Sequence, residues 1–130
     1  MPVYLIIYAP GLTLKTVLAE KGCGGDVDQE QVHATYDGPD GDLVRLYQGT
    51  PYYCGNLGDV RGLGTARMRG QEAFFYESPN SDNRGGMFLR WYTAPPKERS
   101  RGLGSAMYLE VRGRDKARAL RIARSLRLVR

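Results

Sequence analysis

Gln31-Val32-His33-Ala34-Thr35-Tyr36, Asp37-Gly38-Pro39-Asp40-Gly41-Asp42, Leu43-Val44-Arg45-Leu46-Tyr47-Gln48 is the stretch that decides the fold. In the first segment Gln31, His33 and Thr35 alternate with Val32, Ala34 and Tyr36. In the third, Leu43, Arg45 and Tyr47 alternate with Val44, Leu46 and Gln48. A two-residue period places one set of each on a buried face. The middle segment is a dense turn signal of Asp, Gly and Pro. The reading is a β-hairpin within an antiparallel sheet.

Outward from this hairpin the same alternation recurs. Thr65 to Arg69 and Glu72 to Glu77 form a second predicted pair around Gly70-Gln71, with Phe74 and Tyr76 on one face and Phe75 on the other. Met87 to Thr93 sets Phe88, Arg90 and Tyr92 against Met87, Leu89 and Trp91, and Ala106 to Arg112 reads as a last strand. Thr50 to Gly64, Ser78 to Gly86 and Ala94 to Gly104 read as irregular. Toward the start, Val3 to Ala9 reads as a buried strand ended by Pro10-Gly11. From Thr13 to Lys21, Leu14, Val17 and Leu18 are spaced for one face of a short helix with Thr13 as cap. A strand followed by a plain loop is the competing reading. Asp115 is a predicted N-cap of a helix to about Leu128. Its apolar stripe is Leu120, Ala123 and Leu126 beside Ala119, Ile122 and Val129.

The fold class expected is α+β. It is a single domain over 1–130, a curved antiparallel β-sheet with the C-terminal helix, and a short N-terminal helix if Thr13–Lys21 is one, packed on one face. A chain of 130 residues, 42% apolar and 25% charged, suits one core and no more. Its 17 glycines and 7 prolines favour many turns between short strands. The longest apolar run, Val3 to Ala9, is far below the roughly 20 residues of a membrane span. It also lacks the flanks of a signal peptide.

The net charge of +5 is uneven. Lys97 to Arg130 holds eleven Lys/Arg against three Asp/Glu, a balance of +8, and the rest holds eight against eleven, −3. The basic character therefore belongs to the C-terminal quarter, where Arg114, Arg118, Arg121 and Arg124 line the polar side of the expected helix. These arginines are candidates for a nucleic-acid or acidic surface, and a solvated polar face is the ordinary explanation. Cys23 and Cys54 each lie in a glycine-rich loop, which favours a disulfide and an oxidising compartment. Free thiols would instead point to the cytoplasm.

No constellation reads as an active site. Arg61-Gly62-Leu63-Gly64-Thr65-Ala66 and its echo Arg101-Gly102-Leu103-Gly104-Ser105-Ala106 each precede a predicted strand rather than a helix, so they do not cradle phosphate. His33, the single histidine, has no orienting third residue. The Asp37–Asp42 cluster lacks EF-hand spacing, and the two cysteines with His33 complete no zinc set. No cofactor and no metal are expected. The aromatic side chains are the better candidates. Tyr47, Tyr52, Tyr53, Phe75 and Trp91 are singled out for a sheet face that the helix leaves free, where a small ligand or protein partner would bind.

The run Ala66 to Tyr76, then Met87-Phe88-Leu89-Arg90-Trp91, Met107-Tyr108-Leu109-Glu110-Val111 and Ile122-Ala123-Arg124-Ser125-Leu126 resembles a bacterial domain-of-unknown-function family. Members occur in the extracytoplasmic parts of lipoproteins and anti-sigma-factor-like membrane proteins. The hairpin described first is similar to the one that precedes this unit, so the resemblance spans roughly residues 29–128. It implies a non-enzymatic extracytoplasmic binding domain and carries over no catalytic residue. The arginine load departs from that family. The alternatives are a small basic protein that binds nucleic acid through its C-terminal helix, and a small enzyme with an unrecognised site.

Overall fold

The structure is a computed structural model and describes residues 3–6, 11–21, 30–39, 42–50, 60–77 and 86–129. Seven strands form one antiparallel sheet: β2 (Thr13–Lys21), β3 (Glu30–Asp37), β4 (Leu43–Thr50), β5 (Arg61–Met68), β6 (Gln71–Glu77), β7 (Met87–Tyr92) and β8 (Ala106–Val111). Their spatial order is β2-β3-β4-β8-β7-β6-β5. A separate two-stranded ladder joins β1 (Val3–Ile6) to β9 (Leu126–Val129). Two helices, α1 (Pro96–Arg99) and α2 (Lys116–Arg124), complete the described residues.

The hairpin that anchors the sequence reading is present. β3 and β4 pair from Glu30↔Thr50 to Asp37↔Leu43. Because paired residues share a face, the register sorts the sheet into two surfaces. One row runs Ala34, Leu46, Leu109, Leu89, Phe75 across five strands. All five belong to one buried cluster, which also holds Ile6, Leu126 and the α2 residues Ala119, Ile122 and Ala123. The other surface carries His33, Tyr47, Tyr108, Arg90, Phe74 and Thr65 in register across six strands.

β1 is tied to the sheet by its own amides. The Tyr4 N–H donates to Gln48 Oε1 (3.2 Å), and the Ile6 N–H donates to the Tyr36 hydroxyl (2.9 Å). Gln48 is buried and passes the network on, its Nε2 donating to Ser105 Oγ at 3.3 Å. These bonds satisfy an outward-facing strand edge that would otherwise be orphaned inside the protein.

Three expectations are corrected. Thr13–Lys21 is strand β2, not a short N-terminal helix, paired with β3 from Thr13↔Asp37 to Lys21↔Glu30. The apolar spacing of Leu14 and Val17 fits either structure, because a bulge between Leu14 and Thr16 brings both to the side of Tyr36 and Ala34, while Leu18 falls on the other side with His33. The β-branched Thr13, Thr16 and Val17 and a neighbouring ladder decide for the strand. The C-terminal helix stops at Arg124, capped at Ser125, and Leu126 enters β9. Pairing Ile6↔Leu126 and burial of Leu126 outcompete a further helical turn. Finally, Arg61 to Gly64 is no loop but the start of β5. Its glycines form a bulge opposite Tyr76 and Phe75. Asp115 does cap α2, accepting from the Arg118 N–H at 3.0 Å.

Candidate ligand-binding face

The second sheet surface is aromatic, and its parts are held by strand register rather than by loops. His33 meets Tyr47 edge-on with centroids 5.1 Å apart. Tyr47 lies 6.4 Å from Phe88, and Phe88 stacks on Tyr76 at 5.7 Å and 15°. Offset and edge-on pairs of this kind add to simple burial. Beneath Tyr47, Glu110 is 1% exposed, accepts the Tyr47 O–H at 2.9 Å and pairs with Arg45 at 3.6 Å. A carboxylate is buried that deeply only with such partners.

Arg90 is the centre of this surface. Its guanidinium carbon stands 5.1 Å from the Phe74 ring centroid and 5.9 Å from those of Tyr76 and Tyr92. Arg99, at the end of α1, covers the same Tyr92 ring at 3.8 Å. Aromatic faces attract a cation and leave its N–H edge free to donate. Arg90 hydrogen-bonds the Tyr108 phenol, yet its Nε is shut off from water without an acceptor, and so is the Nε of Arg99. Among the described residues, neither guanidinium forms an ion pair with a carboxylate.

Tyr76 is 5% exposed, and its hydroxyl is likewise without a hydrogen-bond partner. Burial pushes its phenol far above the ordinary value. The neighbouring Tyr108 adds to the shift, and Arg90 opposes it. Tyr108 is raised in the same way, first by burial and then by Tyr92, with Arg90 opposing. Both phenols are therefore held neutral beside one guanidinium rather than as phenolates.

Beside this cluster the sheet is hollowed. A recess of about 340 Å³ is lined by Val60, Gly62, Gly64, Thr65, Phe74, Phe75, Tyr76 and Arg90. The hollow exists because of the β5 bulge. Gly62 is paired with Tyr76 and so faces the same side, and a Cβ placed there would meet nothing within 4 Å. A second recess of about 410 Å³ lies by Pro39, Asp42, Arg112, Gly113 and Arg118, but Asp42 already engages Arg118 at 3.4 Å.

The residues singled out from the sequence fall in three places. Tyr47 is on the aromatic surface, half-buried against Phe88 and Glu110. Phe75 and Trp91 are corrected. They lie on the opposite face, in the core cluster with Leu89 and Met107, because their parity follows Leu89 and not Arg90. Of the two, only Phe75 also lines the recess. Tyr52, Tyr53, Cys23 and Cys54 lie outside the described residues. The C-terminal arginines singled out from the sequence do not act together as one free surface. Arg114 pairs with Glu77, Arg118 with Asp42, and Arg124 donates to the Arg67 carbonyl at 3.3 Å, while Arg121 is exposed.

Sequence reasoning passed over Arg90, Phe74, Tyr76 and Gly62. The signal was present. Arg90 is the one charge in Met87 to Tyr92, on the parity of Phe88 and Tyr92, and Gly62 interrupts a strand opposite an aromatic. No helix among the described residues is long and apolar enough to cross a membrane. No family model, curated protein or solved structure matches the chain.

Proposed function

We propose that the chain is a non-enzymatic binding domain whose ligand site is the aromatic face of the seven-stranded sheet. In this reading the sheet curves, α2 and the β1–β9 ladder lie against its other face, and the ligand enters the recess beside Arg90. The observation that carries it is the pair of unsatisfied donors at that recess, Arg90 Nε and the Tyr76 hydroxyl. Buried polar groups without partners are rare in folded proteins and cost about 1–3 kcal/mol each. Their retention on a glycine-hollowed surface is the mark of a site completed by something else. A domain from, or related to, a bacterial lipoprotein or membrane-tethered regulator would hold this face outside the cytoplasm. The motif resemblance and the two glycine-flanked cysteines of the sequence support that placement.

The test is an amide-resonance screen with a mixed library of aromatic, acidic, basic and sugar-like small molecules. Hits are expected to move resonances of β5, β6 and β7, and to lose their effect in Gly62→Leu, which adds a side chain to the recess at a position where a Cβ meets nothing within 4 Å. Hits that map elsewhere, or that ignore the filled recess, refute the site. Thiol titration of the unreduced protein tests the compartment, and two reactive thiols would argue for the cytoplasm.

Nucleic-acid binding through α2 is the less favoured alternative, since two of its arginines, Arg118 and Arg124, and the preceding Arg114 are engaged within the chain. A salt-sensitive oligonucleotide complex at low ionic strength would revive it.

A further inference from the structure

We infer that the recess takes a small aromatic carboxylate, a deeper statement of the same site that rests on the binding reading above. Two independent features select the anion. The first is charge. Arg90 and Arg99 bracket Tyr92 as two half-buried guanidiniums, and neither has a carboxylate partner among the described residues. Ring faces recover part of the lost hydration of a cation, but its in-plane N–H groups still seek an acceptor. The second is donor geometry. Arg90 and Tyr76 both line the recess, and Arg90 Nε and the Tyr76 hydroxyl are buried without a hydrogen-bond partner; the Nε–H can only donate, and the hydroxyl can donate to an accepting oxygen beside it.

The walls select the body of the ligand. Val60, Phe74 and Phe75 are apolar, and Gly62 offers bare backbone, so a flat hydrophobic ring would meet carbon on both sides. About 340 Å³ accommodates a bicyclic ring with its carboxylate and excludes a folded peptide. The carboxylate would take the Arg90 edge and the Tyr76 O–H, and Phe74 would stack on the ring. Tyr108 already holds Arg90 by a hydrogen bond, which fixes the fork before ligand arrives.

The experiment is a calorimetric and amide-resonance titration of the full chain with 2-naphthoate, its neutral counterpart 2-naphthamide, and acetate. Arg90→Gln, Tyr76→Phe and Gly62→Leu serve as variants. The expected result is saturable binding of 2-naphthoate at β5–β6–β7, about tenfold or more weaker binding of 2-naphthamide, and weaker binding still of acetate. Arg90→Gln should bring naphthoate down to the level of naphthamide, Tyr76→Phe should weaken it severalfold, and Gly62→Leu should block both ring compounds. If naphthamide binds as tightly as naphthoate and Arg90→Gln changes nothing, the anion is wrong while the binding face stands. If neither ring compound perturbs β5–β7 at millimolar concentration, the aromatic-acid assignment falls. The broader site then stands or falls on the mixed library. Dispersion and secondary-structure signals of each variant show whether it is folded, and Gly62→Leu, placed in open space, keeps the test decisive if Arg90→Gln is not.

Discussion

Tyr76→Phe should make the ligand-free protein more stable, although it removes a polar group from a residue that is 5% exposed. The hydroxyl has no hydrogen-bond partner, so the folded state bears its desolvation without return. In protein mutational series that cost is about 1–3 kcal/mol. Against it stands the loss of contacts around one oxygen atom, a few tenths of a kcal/mol. The ring stays, and with it the stack on Phe88 at 5.7 Å and the Arg90 contact at 5.9 Å. The net gain is then about 1–2 kcal/mol. For a domain of this size that is roughly a 3–8 °C rise in Tm, or an increase of about 0.5–1 M in the urea midpoint. Urea unfolding followed by far-ultraviolet circular dichroism, with the buffer free of aromatic or anionic additives, measures it. A midpoint that falls instead would mean that the hydroxyl is satisfied in the folded protein, and the argument for an incomplete site at Tyr76 would fail.

Glu110→Ala should cost about 3 kcal/mol, because it removes the buried carboxylate that pairs with Arg45 and accepts the Tyr47 O–H; urea unfolding reads it, and a change under 1 kcal/mol would count against that network. Gly104→Ala should lose a similar amount, about 3 kcal/mol, since φ is +81° there and the new Cβ would stand 2.5 Å from the Ala94 Cβ; an unchanged Tm would contradict the close approach. Stability should also fall in alkali. Tyr36, Tyr76 and Tyr108 have phenols raised above the ordinary value of 10.0, chiefly by burial. Above about pH 10 the unfolded chain releases protons that the native state keeps, so these three contributions, intact below pH 10, decline as pH climbs toward the folded values. Each phenol contributes a slope of up to about 1.4 kcal/mol per pH unit. Urea unfolding between pH 8 and 11 should show a plateau followed by this decline, shallower in Tyr76→Phe; a curve that is flat to pH 11 would contradict phenol burial.

The parts of the fold legible in the sequence are those where side-chain period and turn chemistry agree. β3 and β4 alternate on both sides of an Asp-Gly-Pro turn, and β6, β7 and β8 alternate with bulky residues on each face. Asp115 is legible as a cap because the short acidic side chain precedes an uninterrupted helical run. β2 and β9 were not, and for one reason. Both are strands whose local spacing also fits a helix, and only a distant partner, β3 or β1, tips the balance. The site was half legible. Alternation places Tyr47 on the aromatic surface, while Trp91 lies in the core and Phe75, also in the core cluster, reaches the recess only through the β5 bulge. Arg90 has the outward parity and was the residue to follow, but its isolation from carboxylates is a property of seven assembled strands that no local window contains.

The β1–β9 ladder sets how the protein would yield under load. Val3 stands opposite Val129, and Ile6 opposite Leu126. Tension applied at Val3 and Val129 therefore falls on one rung at a time, an unzipping geometry, rather than on all rungs together. The first bonds to part hold only this ladder. The next are the two hydrogen bonds that the Tyr4 and Ile6 N–H groups donate to Gln48 and Tyr36. Once they open, Ile6 and Leu126 leave the core cluster and α2 loses the strand that follows it, while the seven-stranded sheet with its Arg90 recess keeps its own register. A pull along the chain would thus open the β1–β9 ladder before it reached the strands that carry the aromatic face, so these two sheets differ in mechanical as well as chemical character.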